Sequence, residues 1–110
     1  MNVILTRTCG LLDDSVEPAT SLLKAMANEY RLLVLIKLAD REYSVKDLLQ
    51  VTGLGQSALS QHLARLRRDR LVATRKSAQT VFYRLADHKT RKVLETLDRL
   101  YEREFETPLS

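Results

Sequence analysis

The sequence predicts a mainly α-helical domain that carries one β-hairpin, and three observations lead to this fold class. Apolar residues recur at spacings of three and four over most of the chain, which is the period of helices with one buried face. After Arg70 the period changes to two over two short runs rich in β-branched and aromatic residues, which indicates a hairpin. The 110 residues, 45% of them hydrophobic and 29% charged, have the length and composition of one globular domain.

Composition also argues against several classes of protein. No apolar run approaches the roughly 18 to 20 residues that cross a bilayer, and the first residues lack a signal-peptide pattern, so we expect a cytoplasmic protein with no membrane partner. Cys9 is the only cysteine, and His62 and His88 are the only histidines, so we predict neither an intrachain disulfide nor a zinc cluster. There is no catalytic Ser/His/Asp or Cys/His set and no Gly-rich phosphate loop. We therefore expect a protein that is not an enzyme and needs no cofactor.

Two apolar helices are predicted at the start of the domain. Residues 1–15 lack clear periodicity and are expected to form a loose arm, the domain is expected to span 16–106, and 107–110 form a tail. The first helix begins near Val16, and Asn28 is placed to cap the second. Apolar residues surround the second helix almost completely, so we expect it to be the most buried. They are Leu32, Leu33, Val34, Leu35, Ile36, Leu38 and Ala39.

A helix-turn-helix follows. Ser44 opens a Ser-x-x-acid pattern, which predicts a capping box at the start of a short helix, and Gly53 supplies the positive φ that ends this helix. Only Leu54 and Gly55 separate it from the next helical run, 56–70. Two helices joined by so tight a turn predict a helix-turn-helix. The inner face of its second helix is formed by Leu59, Leu63 and Leu66.

The hairpin and a terminal helix complete the predicted domain. The strands are predicted at 71–76 and 80–85, and because the connection at 77–79 lacks Gly and Asn, we expect a loop longer than a two-residue turn. The terminal helix is charged but carries an apolar stripe that needs a partner to cover it. This stripe consists of Val93, Leu94, Leu97, Leu100, Tyr101 and Phe105.

A helix-turn-helix followed by a hairpin is the order of elements in a winged helix-turn-helix, a DNA-binding fold. The charge distribution agrees with that function: residues 56–92 carry ten basic and two acidic residues, a net charge of +8, whereas the whole chain carries only +4. A local basic block in a small domain predicts a polyanionic partner such as double-stranded DNA. A solvated charged face, or a winged-helix module that docks another protein through its basic face, remains the alternative.

Candidate DNA contacts lie on the second helix of the helix-turn-helix and on the hairpin. Such a helix enters the major groove with its N-terminal residues at the base edges. Polar side chains opposite the apolar face are predicted to read bases, because they can both donate and accept hydrogen bonds: Gln56, Ser57, Ser60 and Gln61. Basic residues further along this helix and at the hairpin tip are predicted to reach phosphates: Arg65, Arg68, Arg75 and Lys76.

Two strings in this region resemble those of a known family. They are Ser57-Ala58-Leu59-Ser60-Gln61-His62-Leu63 and Gln79-Thr80-Val81-Phe82-Tyr83. The chain is similar over about residues 20–101 to the ArsR/SmtB family of bacterial winged-helix repressors, in its HlyU- and NolR-like branch. The resemblance adds Gln79 and His62 to the predicted DNA contacts at the wing and the backbone, although packing of His62 at a helix junction remains open.

The resemblance also implies a homodimer and an operator. Its interface would be formed by the first and last helices, through Leu22, Leu23, Met26, Leu94, Leu97, Leu100 and Tyr101. A two-fold dimer implies an inverted-repeat operator whose half-sites lie one helical turn, about 34 to 36 Å, apart. The predicted function is sequence-specific regulation of transcription, by repression or by displacing another repressor.

The sensing sites of the family are not matched by this sequence. The two cysteine positions of one metal site fall on Ser44 and Lys46, and a second metal site keeps only Asp87, since its other positions fall on Lys89, Leu100 and Arg103. The cysteine pair of the oxidant-sensing relatives falls on Ile36 and Glu102. We therefore predict a regulator without a metal or dithiol switch, in which Cys9 is a bystander.

Overall fold

The computed structural model describes residues 13–106, and the side chains of these residues as far as 102. Its elements are a 3₁₀ turn at Asp13–Ser15, α1 at Val16–Met26, α2 at Glu29–Asp40, β1 at Tyr43–Ser44, α3 at Val45–Thr52, α4 at Gln56–Arg68, β2 at Val72–Ser77, β3 at Thr80–Leu85 and α5 at His88–Glu106. The predicted mainly α fold with a β-hairpin is confirmed. Cys9 and the rest of the N-terminal arm before residue 13 lie outside the described residues, as do the tail from 107 and the side chain of Phe105.

The predicted helix starts and stops are explained by local hydrogen bonds. The Asn28 side chain accepts the backbone N–H groups of Tyr30 and Arg31, which caps α2. Ser44 Oγ accepts the backbone N–H of Asp47 at 3.1 Å, so the predicted cap of α3 is present. Gly53 ends α3 with a φ of 72°.

The end of α4 is a correction to the predicted boundary. The helix ends at Arg68 and not at Arg70, because Arg70 adopts a φ of 66° and turns the chain away. The N–H of Leu71 then bonds the carbonyl of Leu66 at 2.9 Å, and the N–H of Arg70 bonds that of Arg67 at 3.0 Å. These two bonds form a Schellman motif with an arginine at the position that glycine usually occupies.

The sheet has one strand more than predicted, and its turn is shorter. The order is β1-β3-β2 with both pairings antiparallel, and β1 consists of only Tyr43 and Ser44. Ser77 pairs with Thr80, so β2 and β3 are joined by a two-residue turn and the expected longer loop is wrong. Ala78 takes the positive φ of 55° that this turn requires, although it is not a glycine.

The core forms around α2, which contacts each of the other four helices and β3. Val34, Leu35 and Leu38 are buried, as expected for this helix. Ile36 is 50% exposed, so the expectation that apolar burial extends around the whole of α2 is wrong at this residue. The remaining buried apolar side chains are Ala25, Met26, Tyr43, Leu48, Leu59, Leu63, Leu66, Leu71, Val72 and Leu94. In the described part of the chain, no helix is long and apolar enough to cross a membrane.

Two positions with positive φ give a paired prediction on stability. We expect Ala78→Gly to raise the free energy of unfolding by roughly 0.5 to 1 kcal/mol, because relief of the left-handed conformation exceeds the entropy that glycine adds to the unfolded chain. We expect Gly53→Ala to lower the free energy of unfolding by a similar amount. No atom lies within 4 Å of the added Cβ, so only the φ of 72° opposes the alanine. Urea denaturation at one protein concentration measures both; a destabilised Ala78→Gly would contradict the assigned turn.

Candidate nucleic-acid interface

The helix α4 has one buried and one exposed face. Its three leucines, Leu59, Leu63 and Leu66, are in the core and have at most 3% of their surface exposed. The polar residues predicted to read bases are all exposed. They are Gln56, Ser57, Ser60 and Gln61. The structure therefore brings the predicted set together on one solvent-facing side of one helix.

A line of four residues runs along α4 directly opposite the core. Ser57, Gln61, Ala64 and Arg68 are separated by four, three and four positions, which is the spacing of residues stacked on one face of a helix. All four are exposed. Gln56 lies to one side of this line. The first polar contacts that a docked ligand would meet on α4 are thus two short uncharged side chains followed by an arginine.

A hollow of about 380 Å³ separates α4 from the sheet. Ser60 and Arg67 line it from α4, and Tyr83 lines it from β3. Arg67 and Tyr83 are not among the residues predicted from the sequence. Arg67 could have been predicted from its spacing of seven residues from Ser60, because residues seven apart share a helix face. The position of Tyr83 depends on how the sheet packs beside α4, which no local pattern reveals.

Two of the predicted phosphate contacts on α4 differ in their availability. Arg65 Nε donates to Asp69 Oδ2 at 2.8 Å, and both side chains are about one quarter to one third exposed. Arg68 approaches the same carboxylate only to 3.6 Å and remains 71% exposed. The hydrogen bond from Arg65 lowers the pKa of Asp69. Arg65 is therefore engaged within the protein, whereas Arg68 is free to turn outward.

The wing, which is the hairpin of β2 and β3, also carries one basic residue bonded within the protein and others that are exposed. Arg75 Nε donates to Glu42 Oε1 at 2.8 Å, and its guanidinium lies 4.5 Å from the centre of the Phe82 ring. These contacts join β2 to the segment before β1. Arg75 is thus engaged within the protein, whereas the sequence predicted that it reaches phosphates from the hairpin tip. Lys76 and Gln79 are exposed at the tip.

His62 lies at the junction of α2 and α4, which is the packing role that the sequence left open. Its ring is stacked on that of Tyr30 with 6.1 Å between the centroids and 26° between the planes. Arg31 Nη1 is 3.5 Å from His62 Nδ1. Burial, and then the charge of Arg31, lower the pKa of His62. Both effects favour the neutral form of the ring, which lies on the side of α4 that faces α2.

The positions of the family's sensing sites have other roles in this protein. Ser44 caps α3, and Asp87 Oδ1 accepts the backbone N–H groups of Lys89 and Thr90 at the start of α5. Among the described residues, no group of three or more His, Cys, Asp or Glu side chains could hold a metal ion. Ile36 and Glu102, the positions assigned to the cysteine pair, line one groove of about 710 Å³ between α2 and α5.

The predicted dimer residues fall into three groups. Met26 and Leu94 belong to the core of this chain and have little surface left for a partner, which corrects their assignment as surface contacts. Leu22 and Leu97 are half-buried. The exposed members are Leu23, Leu100 and Tyr101, at 57%, 66% and 55%. Exposed apolar side chains therefore lie on both α1 and α5.

Comparison with known proteins agrees with this geometry. Residues 28–74 match the model of the family described as "Bacterial regulatory protein, arsR family". The chain is 59% identical over 83 residues to the transcriptional activator HlyU of Vibrio cholerae, which covers 76% of this chain and 77% of that protein. It is 44% identical over 88 residues to the nodulation protein NolR of Rhizobium meliloti, which covers 80% of this chain and 72% of that protein.

Solved structures are similar over the same region. Reduced HlyU from Vibrio cholerae superimposes with a TM-score of 0.77 at 55% identity, covering 81% of this chain and 94% of that one. The homodimeric winged helix-turn-helix domain of Mb0332 from Mycobacterium bovis superimposes with a TM-score of 0.75 at 25% identity, covering 88% and 93%. The fold, the polar face of α4 and these relatives agree, and the chain belongs to the ArsR family of winged helix-turn-helix transcriptional regulators.

Proposed function

We propose that this regulator binds double-stranded DNA with sequence specificity, as a homodimer on an inverted-repeat operator. The observation that carries the proposal is the exposed polar line on α4, which ends in an arginine and lies beside a hollow lined by hydrogen-bond donors. Regulation would follow from occupancy of the operator, either by repressing a promoter or by displacing another bound repressor. DNA as the partner also places the protein in the bacterial cytoplasm.

The base-reading part of the proposal rests on Ser57 and Gln61. Their side chains are exposed on the line opposite the core, within the first two turns of α4. A glutamine can make a bidentate contact with adenine, and a serine hydroxyl can donate or accept at several base edges. Gln56 and Ser60 extend the same surface towards the sheet.

The phosphate-binding part rests on the hollow between α4 and β3. When α4 occupies the major groove and the wing approaches the neighbouring minor groove, the sugar–phosphate strand between the grooves must cross this hollow. Arg67, Arg68, Ser60 and Tyr83 line it, and each carries an N–H or O–H that can donate to phosphate oxygens. Lys76 and Gln79 would continue the contact along the wing.

The dimer is supported by the apolar side chains that one chain leaves exposed. Leu23 on α1, and Leu100 and Tyr101 on α5, have more than half of their surface open to water. Mb0332 is a homodimeric domain of the same fold. A two-fold arrangement through α1 and α5 would cover these side chains and present two α4 helices to one side of a duplex.

The release signal is proposed to differ from that of the metal- and thiol-sensing relatives. Ser44 and Asp87 are occupied as helix caps, and the groove positions Ile36 and Glu102 carry no thiol. We therefore propose a regulator that has no metal or dithiol switch at these sites.

Selection from a randomised duplex pool tests the function as a whole. The purified protein should enrich an inverted repeat whose half-sites are centred 10 to 10.5 base pairs, or a multiple of that distance, apart. Recovery of no common sequence would contradict the proposal. It would favour the alternative of a winged-helix module that docks a protein.

Removal of two of the proposed base-reading side chains should reduce the sequence preference. We expect replacement of Ser57 and Gln61 together by alanine to weaken binding to the selected operator by about 1 to 3 kcal/mol while leaving random duplexes nearly unchanged. Gln50→Ala, at an exposed glutamine of α3, is the matched control and should keep the preference. Fluorescence anisotropy with both duplexes measures the ratio; an unchanged ratio in the double variant would exclude these residues as base readers.

Removal of a phosphate contact should weaken binding without changing the sequence preference. We expect Arg67→Ala to weaken operator and random duplexes alike and to reduce the slope of log affinity against log salt by about 1.8, because the homodimer loses one phosphate contact of about 0.9 in each subunit. Arg99→Ala, at an exposed arginine on α5, should leave that slope unchanged. Equal slopes for Arg67→Ala and the wild type would remove Arg67 from the interface.

A charge within the proposed dimer face should separate the subunits. We expect Leu100→Asp to give a monomer that loses most of its operator affinity, because an aspartate buried between two chains has no partner. Val51→Asp introduces the same charge at an exposed residue of α3 and should remain dimeric. Sedimentation velocity measures the mass of both; a dimeric Leu100→Asp would contradict an interface through α5.

A further inference from the structure

Arg31 lies where α1, α2 and α4 meet. Its Nε donates to the carbonyl of Ala25 at 2.6 Å, and its Nη2 donates to the carbonyl of Lys24 at 3.2 Å. These carbonyls belong to the last turn of α1, where a positive charge is favoured, and the Lys24 carbonyl also accepts the backbone N–H of Ala27 at 3.3 Å. The guanidinium thus holds the C-terminal end of α1 against the start of α2.

The same guanidinium reaches α4. Arg31 Nη1 is 3.5 Å from His62 Nδ1, and Tyr30, the preceding residue of α2, stacks on the His62 ring. An arginine can only donate, so a hydrogen bond between these two atoms requires that His62 Nδ1 accepts and that the neutral ring carries its proton on Nε2. Two consecutive residues of α2 therefore hold one ring of α4 from two sides.

The surrounding charges make this contact depend on a neutral His62. Arg31 and Tyr30 face the ring from α2, and the paired charges of Arg65 and Asp69 act on Arg31 with opposite signs, since Arg65 lowers and Asp69 raises the pKa of Arg31. Among the described residues, no carboxylate oxygen lies within 4.0 Å of the Arg31 guanidinium. A proton on Nδ1 would place a donor against a donor and a second positive charge beside Arg31.

We propose that Arg31 is a positioning residue for operator binding, whose guanidinium joins α1 to α4 and thereby sets the distance and angle between the two recognition helices of the dimer. The inference rests on the proposed function, since it requires a dimer through α1 and α5 and a duplex at α4. In this proposal Arg31 acts on the operator through the position of α4.

The number of base pairs between the two half-sites of the operator must match the position of α4 in each subunit, so binding to operators of different spacing measures that position. One added base pair moves a half-site by about 3.4 Å and turns it by roughly 35°. A dimer whose α4 helices are held rigidly tolerates one spacing, whereas a dimer with a loosened α4 also accepts the neighbouring spacings. The ratio of two affinities measured with one protein preparation does not depend on the fraction that is folded.

The experiment compares the selected operator with versions that have one base pair inserted or removed at its centre. The spacing ratio is the affinity for the selected operator divided by the affinity for an altered version. For the wild type we expect a spacing ratio on the order of tenfold, and for Arg31→Met about two- to threefold. Arg41→Met is the matched control and should keep the wild-type ratio. It changes an arginine at the other end of α2 that packs on the Tyr43 ring and pairs with Asp47.

Variants of His62 test the contact from the other side, including the case in which Arg31→Met does not fold. His62→Ala should reduce the ratio as Arg31→Met does. His62→Asn keeps an acceptor at the position of Nδ1 and should retain the ratio at every pH. Because the pKa of His62 is lowered from its ordinary value of 6.5, the ratio of the wild type is retained at pH 7 and falls only at a pH below 6.5. His88→Asn, at the other described histidine, should behave as the wild type does.

Each outcome decides the inference. A wild-type spacing ratio in Arg31→Met or in His62→Ala overturns it, even when both variants bind all duplexes more weakly. A ratio that falls in His62→Asn as it does in His62→Ala also overturns it. A wild type that binds every duplex alike overturns the proposed function and this inference together, and these results are distinguishable because the wild type is measured first.

Discussion

The structure depends on the burial of one side of α4 in the core. Leu59, Leu63 and Leu66 are almost completely removed from water, and each buried leucine contributes about 1.5 to 3 kcal/mol relative to an exposed one. Because the helix repeats every 3.6 residues, fixing these three side chains also fixes where Ser57 and Gln61 point. The functional face needs no packing of its own and keeps its polar groups free. The residues that stabilise the core and the residues proposed to read DNA thus lie on opposite sides of one helix.

Charge along the sequence indicated the partner but not which side chains would meet it. The segment 56–92 carries a net charge of +8, yet two of its arginines donate hydrogen bonds to carboxylates within the fold. Arg65 is bonded to Asp69, and Arg75 is bonded to Glu42 and packed on Phe82. Both acids compete directly with a phosphate for the same guanidinium. Charge counting therefore gives the sign of the surface potential and overstates the number of free cations.

Features set by neighbouring residues could be predicted, and features set by distant contacts could not. The caps at Asn28 and Ser44 are visible in the sequence because the partner N–H groups lie two or three residues away. The polar face of α4 is visible because helical periodicity determines it. In contrast, β1 has two residues and no period, and it exists only because β3 pairs with it. His62 was ambiguous because its contact, Arg31, is 31 residues away.

The positions of α2 and α4 are not independent in this fold. Arg31 and Ile36 lie on the same helix, five residues apart, but Arg31 contacts His62 in α4 whereas Ile36 lines the groove beside α5. A rigid helix transmits displacement at one end to the other, since its backbone hydrogen bonds keep its length and twist constant. The apolar groove and α4 are therefore connected by a single element. Arg31 also joins that element to α1 through the carbonyls of Lys24 and Ala25, so α1, α2 and α4 meet at one side chain.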